Sequence, residues 1–195
     1  DKVRFRRGMP QKIGGWVRLS AATFLGVCRS MLNWSTLQRQ NLVSVGTNLK
    51  YYIERGGAYF DITPIRATAT LTNPFTTTSG SATVLVTDNA HGAFQNDFVT
   101  FSGATAVGGL TLNGEFQISF VSANSYNITA ASQASSSATG GGTVTAAYQV
   151  NTGNEIAVPF TGWSAGAWGA GTWGVGGATL APIRLWSQAN FGEDL

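Results

Sequence analysis

Between residues 67 and 149 the chain carries no Lys, Arg, Trp or Cys, and its apolar runs are short and repeatedly broken by turn-forming residues. Runs fall at 82–87, 98–101, 115–121, 126–130 and 143–148. Turns are expected at 88–92, at Asn113-Gly114 and at Ala123-Asn124-Ser125. Five short strands in this length suit a small barrel or sandwich. The Ser/Ala/Gly tract 132–142 reads as a flexible loop by composition. Charged sequence on both sides marks the segment as inserted into a host that resumes at Val150.

The host opens with a second set of runs at 42–45, 49–53 and 59–62. Gly46-Thr47-Asn48 and Glu54-Arg55-Gly56-Gly57 separate them. Both separators form turns, so the runs predict a three-strand antiparallel meander. It ends at Pro64, which has no N–H to give a ladder, and it looks like one blade of a propeller-type sheet. Residues 20–42 are ambiguous. Leu25, Cys28 and Leu32 would share a helical face, whereas Leu32, Trp34 and Thr36 alternate. Irregular structure with a strand is expected there, a short helix being the alternative. The expected architecture is therefore all-β: a meander/propeller-like host domain (residues 1–66 and 150–195) interrupted by a small β-barrel insert (residues 67–149).

Trp163, Trp168 and Trp173 recur every fifth residue with glycine between them. Five is not a helical repeat, and glycine at this density disfavours a helix. An extended chain would send rings at odd spacing to opposite faces unless it bends at the glycines. Rings with glycine gaps suit close packing at a sheet or subunit boundary, or stacking on a sugar. The run holds no acid–base group.

Only 11% of residues are charged, which points to a surface covered by other subunits. No apolar run is long enough to cross a membrane and no signal peptide is evident. Without an initiating Met, the chain reads as a portion of something longer. The net charge of +3 is unevenly placed. Residues 1–66 hold eleven of the twelve Lys and Arg against three acids, a net +8; residues 67–195 hold Arg184 against six acids, a net −5. Such halves favour head-to-tail contact or an acidic partner. Within the first twelve residues Lys2, Arg4, Arg6, Arg7 and Lys12 form a basic arm, with Val3 and Phe5 alternating against the charges. It is either a solvated terminus or a docking arm.

Motifs in the host carry a resemblance. Val45-Gly46-Thr47-Asn48-Leu49-Lys50-Tyr51-Tyr52, Asp61-Ile62-Thr63-Pro64-Ile65-Arg66, the Trp-Gly run 162–174 and Leu185-Trp186-Ser187-Gln188-Ala189-Asn190-Phe191-Gly192-Glu193-Asp194-Leu195 resemble tail structural proteins of tailed bacteriophages. Within that group they are similar to the nozzle or tail tubular proteins of short-tailed phages. The insert is similar to small β-modules of phage virion proteins, on His91-Gly92, Asp97-Phe98-Val99, Asn113-Gly114-Glu115-Phe116 and Asn124-Ser125-Tyr126-Asn127-Ile128. Some such modules are labelled for likeness to a half-domain of ubiquitin-activating enzymes. The insert has no cysteine, so that chemistry does not follow. The resemblance implies a virion tail subunit in a ring-shaped homo-oligomer, beside tail proteins such as an adaptor or fibres. Genomic DNA would pass through its channel without specific binding. The alternative is a host-surface glycan-binding tail module.

Catalytic patterns are sparse. His91 is the only histidine and sits in a turn, which excludes a metal site with two His ligands from one chain. A Cys28–His91 dyad would join two differently organised regions. Asp97 and Glu115 could form a glycosidase carboxylate pair, but strand-end solvation or turn bonding explains them more simply. Glu193-Asp194 reads as an acidic surface contact. Gly140-Gly141-Gly142 lacks the Lys of a phosphate loop. The expectation is no enzyme, no cofactor and no metal. Arg4, Arg6, Arg7, Lys12, Trp163, Trp168 and Trp173 are the candidate subunit-interface residues.

Overall fold

The computed structural model describes residues 3–12, 20–155 and 183–189, and these contain strands and no helix. Their order begins with β1 (Val3–Arg6), β2 (Met9–Lys12), β3 (Cys28–Ser35), β4 (Asn41–Thr47), β5 (Tyr51–Arg55) and β6 (Ala58–Asp61). It continues with β7 (Ile65–Thr72), β8 (Phe75–Thr77), β9 (Thr83–Thr87), β10 (Phe98–Ser102) and β11 (Gly114–Gln117). The last are β12 (Ser119–Val121), β13 (Ser125–Thr129), β14 (Ala138–Gly140) and β15 (Thr143–Gln149).

The meander has four strands rather than three, in the sequential order β3-β4-β5-β6. The ambiguous stretch resolves by alternation: Leu32 and Trp34 share one face of β3, opposite Ser44 and Leu42 of β4. It is a single sheet, and nothing in it repeats around an axis as propeller blades do.

Residues 65–149 build two further sheets, ordered β11-β10-β15-β7 and β12-β13-β9-β8-β14. Neither closes into a barrel, which corrects the expected barrel insert. The edges decide it: one sheet ends at β11 and β7, the other at β12 and β14, and no ladder joins these ends, while alternation along the strands supplies the faces that pack. Val84 and Val86 in β9, Tyr126 and Ile128 in β13, and Val144, Ala146 and Tyr148 in β15 are buried, with exposed or half-buried residues between most of them. Each strand needs only one covered face, and two open sheets face to face supply it. Phe75, Val99, Phe101, Leu112 and Ile118 complete the shared core. Removing a side chain such as Val86 from water contributes roughly 1.5–3 kcal/mol.

Two local expectations change. The run 115–121 splits at Ile118, so that β11 joins one sheet and β12 the other, with Ile118 buried between them. The tract 132–142 is not a free loop. β14 lies within it and pairs with β8, and Thr77 Oγ1 donates to the carbonyls of Ser136 (3.0 Å) and Ala138 (3.2 Å).

The chain enters and leaves this pair of sheets side by side. β7 and β15 are antiparallel neighbours with Ile65 opposite Gln149, and the Val150 amide donates to the Pro64 carbonyl at 2.9 Å.

Candidate functional site

The polar centre of the molecule lies where the meander meets the sandwich. Lys50 follows the corner Thr47-Asn48-Leu49, where Thr47 Oγ1 accepts the amides of Leu49 (3.1 Å) and Lys50 (2.8 Å). This tight turn sends the Lys50 side chain inward, and the residue is only 2% exposed. Its Nζ donates to Asp61 Oδ2 at 2.5 Å and to both Glu115 oxygens at 2.6 Å, and it stands 4.4 Å from the centre of the Phe98 ring. Gln149 Nε2 donates to Glu115 Oε2 at 2.7 Å. Asp61 Oδ1 accepts the amide (2.9 Å) and the hydroxyl (2.5 Å) of Thr63. One ammonium thus joins a strand-end acid of the meander to the outer face of β10–β11.

Burial alone would lower the Lys50 pKa; the two carboxylates outweigh it and raise it above the ordinary lysine value. For Asp61 burial pushes upward, and the bonds from Lys50 and Thr63 hold it net below the ordinary carboxylate value. A lysine kept charged in this way is neither nucleophile nor general base. The arrangement holds two sheets together.

The remaining expected chemistry is placed just as plainly. Asp97, 1% exposed, accepts the Phe94 amide (2.8 Å), Asn151 Nδ2 (2.6 Å) and the Thr152 amide (2.7 Å). It pins the loop before β10 to the chain that returns after β15, and Glu115 is bound to Lys50, so the carboxylate pair is committed to structure. His91 accepts the Ala93 amide on Nδ1 (3.0 Å), and its Nε2–H donates to the Ser122 carbonyl (2.9 Å). Both ring nitrogens are engaged by backbone, which agrees with a turn role. Cys28 is exposed. Among the described residues no three His, Cys, Asp or Glu converge on a metal position.

Beneath the junction, Tyr148 donates to Asp88 Oδ2 at 2.6 Å, and the Tyr126 and Tyr148 hydroxyls lie 2.8 Å apart. Burial pushes both phenols above their ordinary range. Arg66 Nη2 donates to the His91 carbonyl at 3.0 Å, and its guanidinium lies over the Tyr148 ring.

The returning segment 183–189 lies on the other face of the meander. Trp186 stacks on Tyr51 (centroids 4.7 Å apart) and donates Nε1–H to the Thr47 carbonyl at 2.7 Å. Gln188 Nε2 donates to Ser30 Oγ at 2.6 Å. A Cβ on Gly46 would come within 2.5 Å of the Trp186 ring, so glycine is required there by close approach.

Arg4, Arg6 and Arg7 stand on the β1–β2 hairpin, fully at the surface. Lys12 ends β2. Trp163, Trp168, Trp173 and Glu193-Asp194 lie outside the described residues. Sequence reasoning missed Lys50, Asp61, Gln149 and Trp186 as a set. The only signal was that Lys50 stands in an apolar-aromatic run between a turn and Tyr51-Tyr52, where a solvated lysine is out of place.

Compared with known protein families the chain matches none, and compared with curated proteins it likewise matches none. Among solved structures it is similar to a phage phi92 endosialidase, at 21% identity and a TM-score of 0.40. The match covers 64% of this chain and 17% of that one, so the chain spans less than a fifth of the endosialidase's length. A likeness at this level carries no argument about the reaction.

Proposed function

We propose that the chain is a structural subunit of a bacteriophage virion tail, nozzle-like and assembled as a ring through which DNA passes. The observation that carries this reading is the junction at Lys50. Its buried ammonium, with Asp61, Glu115 and Gln149, locks the sandwich onto the meander. The two carboxylates face a shared cation instead of an open cleft. Such a joint fixes the direction in which an inserted module projects, as a subunit that repeats around an axis requires. The side-by-side passage of β7 and β15 supports residues 67–149 as a module inserted into the 1–66 and 150–195 host. In this reading Trp163, Trp168 and Trp173 pack at a subunit boundary. The hairpin bearing Arg4, Arg6, Arg7 and Lys12 lies at that boundary too.

Light scattering coupled to size exclusion, followed by negative-stain imaging, tests the proposal. Ring-shaped particles of one size are expected. A monomer at all concentrations that binds saturably on a glycan array would replace this reading with that of a host-surface glycan-binding module.

A further inference from the structure

We propose that the β1–β2 hairpin is a basic ribbon that binds the phosphate backbone of duplex DNA without reading its sequence. The hairpin turns on Arg7-Gly8, both at positive φ (52° and 78°), the backbone of a tight two-residue turn. Its register, Arg4 opposite Gln11 and Arg6 opposite Met9, puts both arginines on one face, with Arg7 at the tip. Val3, Phe5 and Pro10 take the opposite face. All of these residues are exposed, and a lone two-stranded ribbon is marginal in water, so it gains order from what it binds.

The partner's chemistry follows from where the acids are. Among the described residues the salt bridges are those of Lys50 with Asp61 and Glu115. Asp97 and Asp88 are buried and bonded to loop amides and to Tyr148, and Glu54 accepts the Gly57 amide. Among the described residues only Glu155 is left as an exposed carboxylate outside these bonds. Of the described acids, Asp88 and Asp97 are turned inward and Asp61 and Glu115 share the Lys50 ammonium, so the described surface offers the arginines few free carboxylates. Arg4, Arg6 and Arg7 have no ion pair among the described residues, and the whole chain is basic, with a pI near 9.3. Guanidinium groups match phosphate oxygens in pairs, and a two-stranded ribbon fits a DNA groove. This inference does not rest on ring assembly, because a monomer would bind as well.

The test is fluorescence anisotropy of the full chain with duplexes of unrelated sequence, across a salt series. Equal affinity for all duplexes is expected, with log K falling linearly against log salt. The variant Arg4→Ala/Arg6→Ala/Arg7→Ala should lose at least about tenfold in affinity at low salt, and its slope should shrink by roughly 2–3, about 0.9 for each phosphate that is no longer neutralised. Arg39→Ala/Arg55→Ala, which removes exposed charge elsewhere, should keep most of both. Circular dichroism checks that each variant stays folded. Wild-type slope in the hairpin variant, or equal loss in the control, overturns the proposal.

Discussion

Lys50 of the meander and Glu115 of the sandwich are joined through both carboxylate oxygens at 2.6 Å, across 65 residues of sequence. Breaking a buried pair from one side strands the other charges. Lys50→Met is therefore expected to destabilise by about 3 kcal/mol, at the low end of the ~3–5 range because the two acids reach solvent. Urea titration measures it. The triple change Lys50→Met/Asp61→Asn/Glu115→Gln removes the stranded charges and should recover part of the loss. No recovery would mean that Lys50 acts through packing on Phe98 alone.

Stability should have an acid and an alkaline limb. Asp61 has a folded pKa below its ordinary 3.8, so its contribution is present above that value and is lost as pH falls through the folded one. Lys50 is raised above 10.5, so its contribution is present below 10.5 and is lost as pH rises through the folded value. Melting temperature against pH should be flat between about 5 and 9 with respect to these two groups. Asp61→Asn should flatten the acid limb.

Gly46→Ala should displace Trp186, since the added methyl would sit 2.5 Å from its ring. Overpacking of this kind costs about 1–3 kcal/mol. Trp186→Ala should remove the stack on Tyr51 and the bond to Thr47. Near-ultraviolet circular dichroism should change in both variants; an unchanged spectrum in Gly46→Ala would show that segment 183–189 does not rest on this face.

Tyr148→Phe leaves Asp88 Oδ2 without its 2.6 Å donor and removes the partner of Tyr126. A buried acceptor left unpaired costs about 1–3 kcal/mol, more for a charged group. Thermal melting checks this, with Tyr126→Phe as the milder comparison because the Asp88 bond survives.

Residues 67–149 expressed alone should fold, because the core around Phe75, Val99, Tyr126 and Tyr148 draws no residue from the meander. Cooperative thermal unfolding and dispersed amide resonances would support an inserted module; a chain that stays unfolded would show that the module depends on the Lys50 joint.

The strand content was legible because it is a local property. Alternation in Thr83–Thr87 and Thr143–Gln149, and the turn within 88–92, act over a few residues and need no distant partner, whereas the turn expected at Asn113-Gly114 falls instead at Gly108-Gly109, with Gly114 opening β11. Sheet closure was not legible, since it depends on which edges meet. β14 was hidden in a tract whose composition reads as loop, and it forms because Thr77 and β8 offer it a ladder. The candidate site was legible only in pieces. His91 read correctly as a turn residue and Asp97 as an acid held by turn bonding, whereas Glu115, expected to be solvated or turn-bonded, is held by Lys50 and Gln149. What Glu115 meets could not be read, because its partner lies across the molecule.

By itself, the sequence determined an all-β chain, the position of most strands, and a basic beginning set against an acid-rich remainder. Each follows from side-chain period, turn chemistry and counting. Only the tertiary structure decided that the sheets stay open, that Lys50 is buried between Asp61 and Glu115, and that Asp88 and Asp97 point inward. Those outcomes rest on contacts between residues far apart in the chain. For that reason the net charge of a segment did not foretell which of its described acids would reach the surface.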